Sequence, residues 1–196
     1  MIAFTVLEVV NTIAQVASLV VVLTAAIAAI VQLRHLRASN ELEALLALIA
    51  QLREPELQQA FHFVQTALED RLEDPAYRGE LARLGYIDAA VHPEMEVCNW
   101  FNEVGTLVKN RLIDEGTFLD LFARLVTYYW SRLEPAIAIL RRLRGPSQYE
   151  NFEYLVQLAI QWKAKYPDGA YPRNVTRLPL VDRWAAVDAK ETATAP

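Results

Sequence analysis

Residues 9–33 read VVNTIAQVASLVVVLTAAIAAIVQL, with no charged side chain between Glu8 and Arg34. Beyond Arg34 the pattern changes: apolar residues recur every third or fourth position among charged ones, and no stretch sustains the two-residue alternation of a strand. This predicts an all-α protein with a single N-terminal transmembrane helix, followed by an antiparallel helical bundle with an irregular C-terminal arm.

A helix rises about 1.5 Å per residue, so the uncharged run reaches roughly 37 Å, enough to cross a hydrocarbon layer of about 30 Å with some tilt. Asn11, Thr12, Gln15 and Ser18 make its first third wetter, which moves the expected span toward 14–33. Two other readings compete. A secretory signal peptide needs basic residues ahead of the apolar run, where only Glu8 stands, although the small residues from Ala25 to Ala29 mimic a cleavage site. A buried core helix would be shorter and would carry a polar face. Arg34, His35 and Arg37 follow the run directly and no Lys or Arg precedes it, so the positive-inside rule puts the N-terminus outside and the remaining chain in the cytoplasm. Ala14/Ser18 and Ala25/Ala29 are small-residue pairs at helix-packing spacing, a feature of self-associating spans.

The expected organisation is an anchor over 1–37, a cytoplasmic helical domain over 38–186 and a disordered tail over 187–196. Asn40 with Glu43 makes a capping box, so either a helix restarts at Glu41 or the membrane helix runs on to Arg53, with Leu42, Leu45, Leu46, Ile49 and Leu52 as its apolar stripe. Pro55 suits the first turn of a helix reaching about Leu72, with Leu57, Phe61, Val64 and Leu68 buried. Glu73-Asp74-Pro75 breaks the chain, and a less regular segment follows from Tyr77 to Val91. A helix over 93–114 turns Val97, Trp100, Phe101, Val104, Val108 and Leu112 to one face. Glu115-Gly116-Thr117 reads as a reversal, with Gly116 left-handed and Thr117 capping a helix over 118–144. Pro135 predicts a kink near Trp130–Glu134. Gly145-Pro146-Ser147 ends that helix, and Ser147 with Glu150 caps the next, over 148–166. Residues 170–186, with Pro172 and Pro179, read as an irregular arm laid over the bundle.

Composition narrows the picture. The lone Cys98 excludes a disulfide framework and fits a reducing compartment; beside Trp100 it reads as a packed thiol. The net charge of −5 is unevenly spread: acids outnumber bases about two to one from Arg34 to Glu103, and bases prevail from Val104 to Trp184. No nucleic-acid partner is expected from so weak a basic excess.

A search for chemistry finds little. His35, His62 and His92 form no two-His helical pair, and no Glu-x-x-His motif, phosphate loop or nucleophile elbow occurs. No catalytic residue, metal or cofactor is expected. Two polar features remain. Glu96, Glu103 and Asn110 make a stripe along the edge of the 93–114 helix, as a solvated edge or a polar groove for a ligand or partner, with Glu96, Asn99 and Glu103 as the candidate groove residues. Arg141, Arg142 and Arg144 crowd a helix C-terminus, where they complement the dipole; with Arg34 and Arg37 they are candidates for contact with lipid headgroups or an acidic partner. Of Tyr128, Tyr129 and Trp130, helical geometry lets at most two share the core.

From Asn99 to about Ala159 the chain carries Phe101-Asn102-Glu103, Leu112-Ile113-Asp114, Trp130, Pro135, Arg141 and Tyr149-Glu150-Asn151-Phe152-Glu153. This set resembles a bacterial family known as domain of unknown function 4760. The resemblance implies one N-terminal membrane helix and a cytoplasmic helical domain, at a bacterial inner membrane, and lends no functional residues. The expected role is a membrane-anchored interaction or scaffold module, with the lipid bilayer and a protein partner or second copy as its contacts. The alternative is a membrane-tethered enzyme or ligand sensor built on Glu96, Asn99 and Glu103.

Overall fold

A computed structural model describes residues 2–185, with side chains of the first fourteen residues described only at Asn11. The tail expected to be disordered lies outside the described residues. Among those residues the chain is all-helical: α1 (Ile2–Gln51), α2 (Pro55–Thr66), α3 (Leu68–Glu73), α4 (Pro75–Leu81), α5 (Glu94–Lys109), α6 (Glu115–Arg144) and α7 (Glu150–Lys165). It divides into two compact units, Met1–Lys165 and Tyr166–Pro196. Position 37/38 falls inside α1, and the second division comes at Lys165, where Pro167 and Gly169 stop helix propagation.

The choice left open at Asn40 is settled by an unbroken α1 of 50 residues. Asn40 caps nothing there; Arg37 instead pairs with Glu41 one turn on, at 3.0 Å, across the expected break. The stripe that meets the bundle is centred on Leu45 and Leu48, whereas Leu42 and Leu46 stay exposed. Upstream, the apolar side chains from Val16 to Leu36 are exposed among the described residues. The Thr24 hydroxyl donates to the Val20 carbonyl at 2.8 Å, which satisfies it within the helix.

In the bundle, α5 and α6 are antiparallel across the turn Asn110–Asp114. That turn comes earlier than the sequence suggests. The Asp114 carboxylate accepts from the Thr117 amide (2.8 Å) and hydroxyl (2.7 Å), so Asp114 is the N-cap of α6 and Gly116 lies inside the helix. Arg111, with φ 57°, takes the left-handed position assigned to Gly116. The shift exposes Leu112 and buries Ile113 in its place. α6 then runs through Pro135 to Arg144, and Gly145, with φ 82°, ends it. α7 returns antiparallel to α6: Arg141 meets Glu153 at one end, and Lys163 donates to the Thr127 hydroxyl at the other.

An aromatic cluster joins α2, α5, α6 and α7. Phe101 stacks on Phe152 at 4.6 Å, Phe61 sets its edge against Trp100 and Phe101, and Trp130 sets its edge against Phe152. Tyr129 is buried, Trp130 half-buried and Tyr128 exposed, the partition that helical geometry requires. The helix expected from Pro55 to Leu72 breaks at Ala67 (φ −132°), giving α2 and α3, yet Phe61, Val64 and Leu68 are buried as expected.

In the second unit, Arg177 donates to the Asp168 carbonyl at 2.7 Å and stacks on the Tyr171 ring. Asp182 accepts from the Trp184 and Ala185 amides. The unit's apolar residues Leu178, Leu180 and Trp184 are 84%, 95% and 68% exposed.

Candidate functional site

The last turns of α1 fix the frame of the site. Ala38, Glu41, Leu42 and Leu45 share a cleft with Ile113, Asp114 and Thr117 at the α5–α6 turn. Gln51 reaches the middle of α5. α1 therefore runs antiparallel to α5 and parallel to α6, and the α5–α6 turn is the bundle end nearest the apolar half of α1.

Glu96, Asn99 and Glu103 come together. With Gln51, Glu54, Glu56, Leu57 and Trp100 they line an open groove of about 210 Å³ between the end of α1, the start of α2 and α5. Spacing on α5 explains half of this, since positions 96, 99 and 103 share one helical face. The other half comes from Pro55, which starts α2 directly after the α1 turn and brings Glu54 and Glu56 alongside. The groove thus gathers four exposed carboxylates over an apolar floor of Leu57 and Trp100, with no Lys or Arg in its lining. One wall is braced from behind: the buried Tyr149 hydroxyl donates to Asn99 Oδ1 at 3.0 Å. Such a rim attracts cations and basic chains. Among the described residues no His, Cys, Asp and Glu group is placed to hold a metal ion.

The arginines separate. Arg34 and Arg37 project from α1 just below its apolar run. Arg141 and Arg144 work inside the fold. Arg141 Nε donates to the Gln148 carbonyl, and its Nη2 lies 2.7 Å from Glu153 Oε2, close but not aligned as a hydrogen bond. Arg144 donates to the carbonyls of Arg83 and Gly85, pinning the loop after α4. Arg142 is exposed. All three lie roughly 40 Å along α6 from its start, at the end of the bundle away from the apolar half of α1.

A buried polar chain escaped the sequence reading. Tyr77 donates to Glu94 Oε2 at 2.7 Å, and His92 bridges Glu94 Oε1 (3.0 Å, through Nδ1) and Glu80 Oε2 (3.1 Å, through Nε2). Glu94 and His92 are fully buried. Burial first, then the Glu94 carboxylate, raises the Tyr77 hydroxyl far above its usual range. Cys98 is pushed up by burial and by Glu94, so it stays a thiol, in keeping with a packing role. The only sequence cue was the pairing of His92 with Glu94, two residues apart and outside any known motif. The chain ties the 82–93 loop and α4 to the start of α5, with His92 and Glu94 buried and Glu80 half exposed at its outer end, and we assign it to structure.

These features define an all-helical protein whose N-terminal helix is long and apolar enough to cross a membrane, with its apolar side chains from Val16 to Leu36 exposed among the described residues. A signal sequence meets the same length and composition test. The chain belongs to the family described as Domain of unknown function (DUF4760), whose model matches residues 19–162. No curated protein and no solved structure matches the chain.

Proposed function

We propose that this protein is a single-pass membrane module of the bacterial inner membrane, N-terminus outside, whose cytoplasmic bundle holds a basic segment of a protein partner in the groove of Glu54, Glu56, Glu96 and Glu103. One observation carries the reading: a continuous helix has uncovered apolar residues along one part and Leu45 and Leu48 in the bundle core along another. Leaving such a rod in water forfeits about 25 cal/mol per Å² of apolar surface, so a lipid environment is its stable solution. Arg34, His35 and Arg37 at the end of the run support the cytoplasmic side for the bundle.

For the groove, exposure and sign favour a chain segment over a small molecule. Enclosed ligand pockets typically exceed about 300 Å³ and bury most of their ligand, whereas this groove is open and smaller. Exposed carboxylates on an interface rim chiefly set specificity and association rate.

Two measurements test the reading. Carbonate-washed membranes should retain the full chain, and recovery in the supernatant overturns the anchor. Affinity purification from native membranes should then be repeated with Glu54→Lys, Glu56→Lys, Glu96→Lys and Glu103→Lys combined. The partner set should be lost while the thermal midpoint barely moves, because all four side chains are exposed. An unchanged partner set overturns the groove assignment.

A further inference from the structure

We propose that the arm from Tyr171 to Trp184 lies on the anionic lipid surface around the anchor; this rests on the membrane reading above. Its residues fall outside the matched range of the family, 19–162. The segment spends its apolar side chains on no core: Leu178, Leu180, Val181 and Trp184 all stand mostly exposed. Soluble proteins seldom expose so dense an apolar run without a partner for it. Trp is the residue that favours the headgroup level, with its ring in the acyl boundary and its N–H toward water.

Charge selects the kind of surface. Arg173, Arg177 and Arg183 accompany the apolar residues against Asp168 and Asp182. Asp182 is already engaged with the Trp184 and Ala185 amides, so its charge is partly met within the arm. Basic and apolar residues interleaved in this way suit an anionic leaflet.

Connectivity supplies the position. Within the first unit, Gly116 in the first turn of α6 faces the Trp162 ring of α7, and Asp114 and Thr117 adjoin Glu41 and Leu45 of α1. The C-terminal end of α7 is therefore at the anchor end of the bundle. From Glu41 back to Leu33, the last residue of the uncharged run, α1 rises roughly 12 Å. An irregular chain spans up to about 3.3 Å per residue, so the residues following Lys165 reach the headgroup layer with length to spare.

The chain supplies its own reporter. Its tryptophans are Trp100, Trp130, Trp162 and Trp184, and none lies in the uncharged run. The full-length protein is reconstituted into lipid discs of phosphatidylcholine, or of phosphatidylcholine with about a third phosphatidylglycerol. Acyl-brominated phosphatidylcholine serves as quencher, and the Trp184 signal is the wild-type emission less that of Trp184→Phe. In anionic discs this difference signal should fall roughly twofold or more with brominated lipid, and less in neutral discs. Leu178→Ser with Leu180→Ser should abolish the quenching. Arg173→Glu with Arg183→Glu should remove its dependence on anionic lipid. Protein that enters the discs but leaves the Trp184 signal unquenched overturns the arm proposal and spares the anchor. Protein that does not enter the discs overturns both.

Discussion

Gly105 on α5 presses its α-carbon against the main chain of Asn151 at the start of α7, so that a β-carbon there would overlap the Asn151 carbonyl group. This contact sets how closely α5 and α7 approach, and it allows Phe101 and Phe152 to stack face to face nearby. The obstacle is backbone, which cannot turn aside as a flexible side chain would.

Gly105→Ala should therefore destabilise the fold, by about 1–3 kcal/mol, despite the better helix propensity of alanine. Urea unfolding of the detergent-solubilised chain reads this out. An unchanged or raised midpoint would show that α7 slides away at no cost.

Tyr77→Phe removes the hydroxyl that donates to the buried Glu94 carboxylate. The expected loss is about 1–3 kcal/mol, the range for a buried polar group deprived of a partner. Glu94→Gln keeps the shape and should cost less than Glu94→Ala. Equal midpoints for wild type and Tyr77→Phe would show that water replaces the hydroxyl.

Alkaline pH should unfold the protein. Burial raises Tyr77, Tyr129 and Tyr149 above the ordinary tyrosine value of 10.0, and Cys98 above its ordinary 9.0. In the unfolded chain these groups release protons near those ordinary values, while the native state still holds them. The native state then binds more protons, so stability is complete below about pH 9 and falls as pH climbs beyond it. Denaturant midpoints across that interval should decline, with a shallower slope for Tyr77→Phe and Tyr149→Phe. A flat profile up to pH 11 or so would contradict the burial of these hydroxyls.

At the acid end the sign reverses. Hydrogen bonds from the Thr117 hydroxyl and amide hold Asp114 below its ordinary value of 3.8. Its cap contribution is present above that value and lost as pH falls through the lower folded one. Asp114→Ala should cost about 1 kcal/mol at neutral pH, and Asp114→Asn should keep the cap while removing its acid sensitivity. Midpoints measured at neutral pH and near pH 3 would separate the two variants.

Much of this was legible in the sequence, and the misses share a cause. Periodicity found α5 and α6 and placed Phe61, Val64, Phe101, Val104 and Val108 in the core, because side chains at helical spacing cannot avoid sharing a face. It misplaced the α5–α6 turn because glycine at 116 outweighed the capping aspartate at 114, and Arg111 adopts the left-handed conformation against its type. The groove was half legible: Glu96, Asn99 and Glu103 are local to one helix, while Glu54 and Glu56 join them only through the packing of α1 and α2. The bond between His92 and Glu80 was illegible for the same reason, since Glu80 lies twelve residues back and the tertiary fold joins them.

The unbroken α1 has a last consequence, for orientation. A helix turns about 100° and advances about 1.5 Å per residue. With no joint between Arg34 and Leu45, the compass bearing of the acidic groove is locked to that of the apolar rod. A single-residue insertion or deletion near Arg37 would swing the groove by roughly a quarter turn and leave every side chain in it unchanged. Anything that grips or twists the rod thereby aims the groove, without touching it.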